Sequence, residues 1–342
     1  MKYLFIGGTG NISKYITEKL LLRGDTVYLV NRGNRNHDLS GDMRYITADI
    51  NTEAGATTVR EEIRNLCFDA VADFIVFTEE QAERDFELFN GKCRQYLTFS
   101  SASVYQTPLV SPYITEATPM KNPLWRYAQN KIKVEEFFMK KYRECDFPVT
   151  MIRPSHTYGK TYVPLSVEGK NAYSVIKRML DGKPVILPGD GTSLWVLTHS
   201  SDFAKGFIGL LGNIHAIGET YHITSDELVT WNQVYQVVAD TLGVSAKFVH
   251  VSSEFLAETR PGGGFLGSLL GDKSNSVIFD NSKLKRAVPD FVCTTRMDQG
   301  IAESVRYMMS HPELQTEDPD FDAYCDRVIS ALEKAKAEIL SE

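Results

Sequence analysis

The sequence predicts an α/β protein, with a doubly wound parallel sheet over roughly its first half and a smaller C-terminal α+β lobe. Three observations carry this expectation. From residue 1 to about 155, short apolar runs alternate with helical patterns, as βαβ units require. The first run, Tyr3-Leu4-Phe5-Ile6, leads at once into Gly7-Gly8-Thr9-Gly10, then into a helical pattern with Ile12, Ile16, Leu20 and Leu21 on one face. Beyond about residue 160 the alternation becomes irregular. The expected division is 1–160 for the sheet domain, with parts of 183–225 returning to it, 161–310 for the second lobe, and 311–342 for a terminal helix.

Composition narrows the class. The 342 residues carry a net charge of −7, with 43% hydrophobic and 24% charged residues, an ordinary globular balance. An acidic chain lacks the electrostatic footprint of a nucleic-acid binder. No run of about 18 apolar residues occurs, so no membrane helix is expected. The N-terminal apolar run is too short for a signal peptide and ends in glycines. Cys67, Cys93, Cys145, Cys293 and Cys325 are odd in number and have no CxxC spacing. Reduced thiols in a cytoplasmic protein are therefore expected, with neither a disulfide framework nor a metal site.

The elements follow in order. The glycine turn has a chemical reason, because side chains at Gly7 or Gly10 would obstruct the turn or keep a pyrophosphate from the helix N-terminus. After a helix over 12–23, Gly24-Asp25 turns the chain into a strand over 26–30. That strand ends in Asn31-Arg32-Gly33, with Arg35 close by, where dinucleotide folds carry an acid for the adenosine ribose. A guanidinium suits a 2′-phosphate and a carboxylate would repel it, so NADP is favoured over NAD. A third strand over 43–47 leads to Asp49-Ile50, a helix covers 57–67, and a fourth strand covers 69–76. An acidic helix over 79–90 precedes a fifth strand, 95–99, which runs into Ser100-Ser101-Ala102-Ser103-Val104-Tyr105. A proline-rich loop, a helix over 125–142 and a sixth strand over 148–152 end in Arg153-Pro154-Ser155-His156-Thr157-Tyr158-Gly159. Helices are then expected over 171–181, 201–211, 231–242 and 298–309, with short strands near 184–187, 219–224 and 246–250. Pro261-Gly262-Gly263-Gly264 reads as a flexible loop, a candidate lid, and 319–340 as a surface helix.

The sharpest chemical signal is Tyr127-Ala128-Gln129-Asn130-Lys131. Spacing of i and i+4 puts Tyr127 and Lys131 on one helix face. A tyrosine with a pKa of about 10 is a poor base at neutral pH, and a neighbouring ammonium lowers that value. Tyr127 then takes a proton from a substrate hydroxyl, or returns it in reverse. Ser101 ends a sheet strand, at the carboxyl edge where such sheets bind ligands, and its hydroxyl suits the reacting oxygen.

GGTGNIS, SSASVY, YAQNK and RPSHTYG, in that order, resemble the short-chain dehydrogenase/reductase superfamily, in particular its extended branch of NAD(P)-dependent nucleotide-sugar epimerases and dehydratases. The likeness covers roughly residues 1–310, including PGDGTSLWVLTHSSDFAKG and FDNSKLKR. The resemblance implies a Rossmann-type fold and a catalytic trio at Ser101, Tyr127 and Lys131, with Lys131 also bonding the nicotinamide ribose. Cofactor contacts are then expected at Gly7, Thr9, Gly10, Asn11 and Ile12 on the turn, and at Asn31, Arg32, Asp49 and Ile50 around the adenosine. Phe77, Lys131, Pro154 and Ser155 complete that set, while Ser103, His156, Trp195 and Arg260 are the expected substrate contacts. Superfamily dimers through two helices per subunit would here use 79–90 and 125–142.

Departures from the pattern matter as well. Ser13 replaces the third glycine, a change that, with NRG and Thr78-Glu79-Glu80-Gln81, resembles the atypical group related to chloroplast stem-loop RNA-binding proteins. The Ser13 hydroxyl is expected to reach a phosphate. His156 stands where nucleotide-sugar epimerases have an asparagine, and Trp195 where they have an arginine, both on the substrate pyrophosphate. Arg260 is the remaining candidate for a phosphate contact. His199 and Asp202 match positions that support the fold, and Trp125, Tyr105 and Tyr158 are aromatic candidates for a pocket. The expectation is an NAD(P)-dependent enzyme acting on a carbinol or carbonyl carbon of a sugar-like substrate. A reductase of a non-nucleotide small molecule, and a non-catalytic RNA-binding or cofactor-sensing relative, stay open beside it.

Overall fold

The computed structural model describes residues 1–33 and 39–341, so Arg35 lies outside the described residues. Two compact units emerge, the first comprising Met1–Thr157, Thr198–Asp226 and Phe279–Thr294, the second Tyr158–Leu197, Glu227–Ile278 and Thr295–Glu342.

The first unit is built on seven parallel strands: β1 (Lys2–Ile6), β2 (Thr26–Asn31), β3 (Met43–Thr47), β4 (Ala70–Asp73), β5 (Tyr96–Phe99), β6 (Val149–Pro154) and β7 (Thr220–Ile223). Their order is β3-β2-β1-β4-β5-β6-β7, with every neighbouring pair parallel. The chain leaves β1 in one direction and returns to its other side with β4, so the switch of direction falls beside β1, where open α/β sheets bind ligands. Helices α1 (Ser13–Leu22), α2 (Glu53–Glu62), α3 (Glu79–Phe89), α4 (Arg126–Cys145), α5 (Ser200–Leu210) and α6 (Ser282–Ala287) belong to this unit.

Period-two alternation in β1 separates two cores. Tyr3 and Phe5 join Ile16, Leu20, Phe203 and Phe207 on one face, while Leu4 and Ile6 join Val59, Ala82, Phe89, Val134 and Phe138 on the other. Both faces are covered, which is why the strand reads as an unbroken apolar run. The expected doubly wound parallel sheet is present.

Two boundaries differ from expectation for local reasons. The helix read over 57–67 is α2, which starts earlier because Thr52 caps it, accepting from Gly55 N, and ends at Glu62. Ile63 and Leu66 prolong the apolar spacing after the helix has turned. The strand read over 69–76 pairs only to Asp73, and Ile75 and Phe77 after it line a cavity described below.

In the second unit, Val185–Pro188 pairs in parallel with Phe248–Val251, and Leu194–Trp195 pairs with Val229–Thr230 in antiparallel fashion. Of residues 183–225, parts of which were expected to return to the sheet domain, 183–197 cluster here, whereas 198–226 fall in the first unit, as do 279–294. The glycine run read as a flexible loop is a short 3-10 turn, Pro261–Gly263, followed by a π-helix, Leu266–Lys273. The terminal helix, Pro319–Ser341, buries Phe321, Tyr324, Cys325 and Val328 at its start. Among the described residues, no helix is long and apolar enough to cross a membrane.

Candidate active site

The glycine turn after β1 shows why the sequence needs it. Gly7 has φ +79°, and a Cβ there would lie 2.7 Å from Ile75 Cγ2. Ser13 Oγ donates to Gly7 O (2.7 Å) and accepts from Gly10 N (2.8 Å). The expectation that this hydroxyl reaches a phosphate is corrected, because it is spent bracing the turn. Helix α1 begins with Ile12 at its N-cap and no side-chain hydrogen bond there, and a helix N-terminus of this kind attracts an anion. Asn11 Nδ2 donates to Thr157 O (3.3 Å), and its Oδ1 is buried without a partner.

The turn opens on a cavity of about 360 Å³ lined by Gly7, Thr9, Gly10, Val30, Asn31, Arg32, Gly33, Ala48, Asp49, Ile50, Asn51, Ile75 and Phe77. Asn31 Oδ1 accepts from Gly33 N (2.9 Å) and holds the bend after β2, leaving Arg32 exposed on the rim. Val30, Gly33, Ala48, Asn51 and Ile75 were not among the expected contacts, having no local pattern that marks a wall. Asn11, Ile12, Lys131, Pro154 and Ser155 lie outside this lining. We expect Gly7→Ala to lower stability, the left-handed backbone alone costing about 1–2 kcal/mol, and to weaken dinucleotide binding. Urea unfolding and an NADPH fluorescence titration check this; unchanged affinity would refute the role given to the turn.

Helix α4 places Tyr127 and Lys131 one turn apart. The Lys131 side chain is 1% exposed, and its Nζ donates to Val76 O (2.5 Å) and Phe99 O (2.7 Å), joining α4 to the end of β5. Nζ also lies 4.4 Å from the Phe77 ring centroid and 5.7 Å from that of Tyr127. Burial pushes the Lys131 pKa down to about 8, against the opposing pull of Asp73 and Glu135. The half-buried Tyr127 ring lies 5.0 Å from Trp125 and 6.4 Å from Phe77.

After β5, Ser101 caps the 3-10 turn Ala102–Val104, which packs against α4. Its Oγ accepts from Ser103 N (3.2 Å) and from Ser103 Oγ (2.9 Å). Ser103, expected among the substrate contacts, is buried with its hydroxyl spent on Ser101, so it supports that residue from behind. One turn beyond Lys131, Glu135 receives Arg153 Nε (2.8 Å) and Nη2 (2.6 Å), anchoring α4 to the strand that leads into Pro154, Ser155 and the half-buried His156.

The remaining candidates have structural occupations. His199 caps α5, and Asp202 receives Lys205 Nζ (2.6 Å). Trp195, in the second unit, is 3% exposed and lies 5.8 Å from Trp231. Arg260, in the same unit, has its guanidinium carbon 5.1–5.6 Å from the ring centroids of Phe265, Phe321 and Tyr324. Aromatic faces flank this guanidinium, while the N–H groups on its edge are what a phosphate contact would use.

Residues 3–224 match the model of the NAD dependent epimerase/dehydratase family. The chain belongs to that family. Chloroplast stem-loop binding protein of 41 kDa b from Arabidopsis thaliana is 27% identical over 252 residues, 71% of this chain and 63% of that protein. The chain thus spans less than two thirds of that relative's length. A 2'-dehydrokanamycin reductase from Streptomyces kanamyceticus is 25% identical over 293 residues, 85% of this chain and 80% of the reductase. The fold matches that of UDP-glucuronic acid 4-epimerase from Bacillus cereus, solved with UDP-glucuronic acid and NAD, at TM-score 0.70 and 19% identity, covering 91% of this chain and 99% of that one.

The family's NAD(P) fits the residues present. The uncapped start of α1 suits a pyrophosphate, Gly7 leaves no room for a side chain, and the cavity runs from the turn past the end of β2 to Phe77.

Proposed function

We propose that the chain uses NADP(H) to oxidise or reduce a carbinol or carbonyl carbon of a sugar-like substrate through Ser101, Tyr127 and Lys131. The observation that carries this reading is Lys131, a buried ammonium on the Tyr127 face of α4, pinned to the end of β5 and set against a wall of the cavity. Gly7, Thr9, Gly10, Asn11 and Ile12 would hold the pyrophosphate. Asn31 and Arg32 would face the adenosine ribose, with Asp49 and Ile50 beside the adenine. Phe77, Lys131, Pro154 and Ser155 would hold the nicotinamide end, and His156 the substrate. Arg32 on the cavity rim, with no carboxylate ending β2, supports the 2′-phosphate. Bound there, the dinucleotide supplies or accepts the hydride. Tyr127 gives its proton to the substrate oxygen or takes it back, Ser101 hydrogen-bonds that oxygen, and the Lys131 charge makes the phenol more acidic.

A second reading, reduction of a non-nucleotide small molecule with NADPH, is favoured by Trp195 and Arg260. Trp195 carries no charge and lies 5.8 Å from Trp231, and the Arg260 guanidinium is flanked by aromatic faces, a setting less suited to a substrate diphosphate than a pair of exposed arginines. The name of the Streptomyces relative, a reductase, points the same way.

The test is consumption of NADPH against NADH with a panel of sugar and other carbonyl compounds. NADPH is expected to be used in preference, with the reductive rate falling as pH rises through about 8, because Lys131 loses its charge there. Below that pH the ammonium is intact and the rate is level on this account. A flat profile from about pH 7 to about 10 would remove Lys131 from the mechanism. Cofactor kept through gel filtration would favour the epimerase or dehydratase cycle, and exchange at each turnover the reductase. Salt-sensitive RNA binding without redox activity would displace both.

A further inference from the structure

We propose that Gln81 latches the cofactor cavity, tying its adenine-side wall to the wall that carries Phe77, and so sets how fast a bound dinucleotide leaves. This rests on the dinucleotide reading of the cavity given above.

Gln81 sits at the third position of α3, in a capping box with Thr78. A capping glutamine ordinarily returns its carbonyl oxygen to the N-cap amide. Here Oε1 accepts from Thr78 N at 3.3 Å, but its shorter bond, 2.6 Å, is from Phe77 N. The other end of the same amide leaves the helix, and Nε2 donates to Asn51 Oδ1 (2.9 Å). Asn51 and Phe77 both line the cavity, while Gln81 does not. One side chain outside the cavity therefore joins two of its walls.

The adenine-side wall is thin. A second cavity of about 280 Å³ lies against it; Ile50 and Asn51 line both spaces, whereas Gln81 and Arg84 line only the second. With room on either side, the 50–51 segment depends on its ties. Arg84 Nη1 reaches Asn51 Oδ1 (2.7 Å) and Ile50 O (3.3 Å), and Arg84 is itself fixed by Asp85 at 2.6–2.8 Å. Arg84 thus ties the segment to α3, and among the described residues the side-chain link on to Phe77 N is carried by Gln81.

The test is the release rate of NADPH from the full chain, followed by stopped-flow fluorescence on displacement with excess NADP+. Gln81→Ala is expected to speed release roughly three- to tenfold, the equivalent of one hydrogen bond. Asn51→Ala also speeds it, and the double variant is no faster than Asn51→Ala, since both break the same link. Thr78→Ala, which weakens the helix cap but leaves the Asn51 link, should release NADPH at close to the wild-type rate. If Gln81→Ala does not fold, Gln81→Met takes its place in the same cycle. Multiplying effects in the double variant, or acceleration by Thr78→Ala equal to that of Gln81→Ala, would make Gln81 a helix cap only and overturn the latch. A wild-type chain that binds neither NADPH nor NADH overturns the dinucleotide reading, and the latch with it.

Discussion

Tyr127→Phe should lower turnover by a factor of about 10² to 10⁴, the range general acid–base catalysis contributes, while leaving dinucleotide affinity nearly unchanged. The substitution removes one oxygen and keeps the ring, so the contacts with Trp125 and Phe77 and the ammonium–ring approach of Lys131 persist. Lys131 keeps its bonds to Val76 O and Phe99 O, neither of which involves Tyr127. Binding and chemistry should therefore separate, with kcat collapsing and the NADPH dissociation constant staying level. Steady-state kinetics and a fluorescence titration on the same preparation decide it. Full activity in the variant would remove Tyr127 from the proton path.

Arg153→Met should cost about 3–5 kcal/mol of stability, the range for breaking a buried ion pair from one side. Arg153 and Glu135 side chains are 4% and 2% exposed, so the variant leaves a carboxylate in the core with its two strongest donors gone. Arg153 also lies 4.8 Å from the Tyr105 ring centroid and donates Nη1 to Glu116 O, and methionine replaces only its apolar part. Adding Glu135→Leu should restore most of the loss, because a matched apolar pair avoids desolvating either charge. Urea midpoints of the two single variants and the double variant read this directly. A double variant as unstable as Arg153→Met would assign the loss to packing against Tyr105. Because the pair joins α4 to the strand before Pro154, Arg153→Met should also slow turnover in whatever fraction remains folded.

Much of this was legible in the sequence, and the reason is range. The β1 strand, the glycine turn and α1 lie within about twenty residues and follow from apolar period, glycine chemistry and helix spacing. Tyr127 and Lys131 are four residues apart, so helix geometry alone puts them on one face. The order of the four motifs was enough to name the family. What misled was also local: Ile63 and Leu66 continue a helical spacing past the end of α2, and Ile75 and Val76 continue an apolar run past the ladder of β4.

The sequence by itself determined the alternation of strands and helices, the glycine turn and the Tyr127–Lys131 face, because each depends on neighbours within a few residues. Only the tertiary structure decided what the remaining polar side chains do. Ser13 has a hydroxyl suited to a phosphate, but the fold of its own turn uses it on Gly7 and Gly10. Arg260 has the charge for a phosphate, and three rings of the second unit pack around its guanidinium, a neighbourhood that its local sequence does not show. Arg153 finds Glu135 eighteen residues away and Gln81 finds Asn51 thirty residues away, pairings set by strand order and helix docking. A donor or acceptor reads the same in the sequence whatever it meets, and its role is settled by which partner the packed chain brings within about 3 Å.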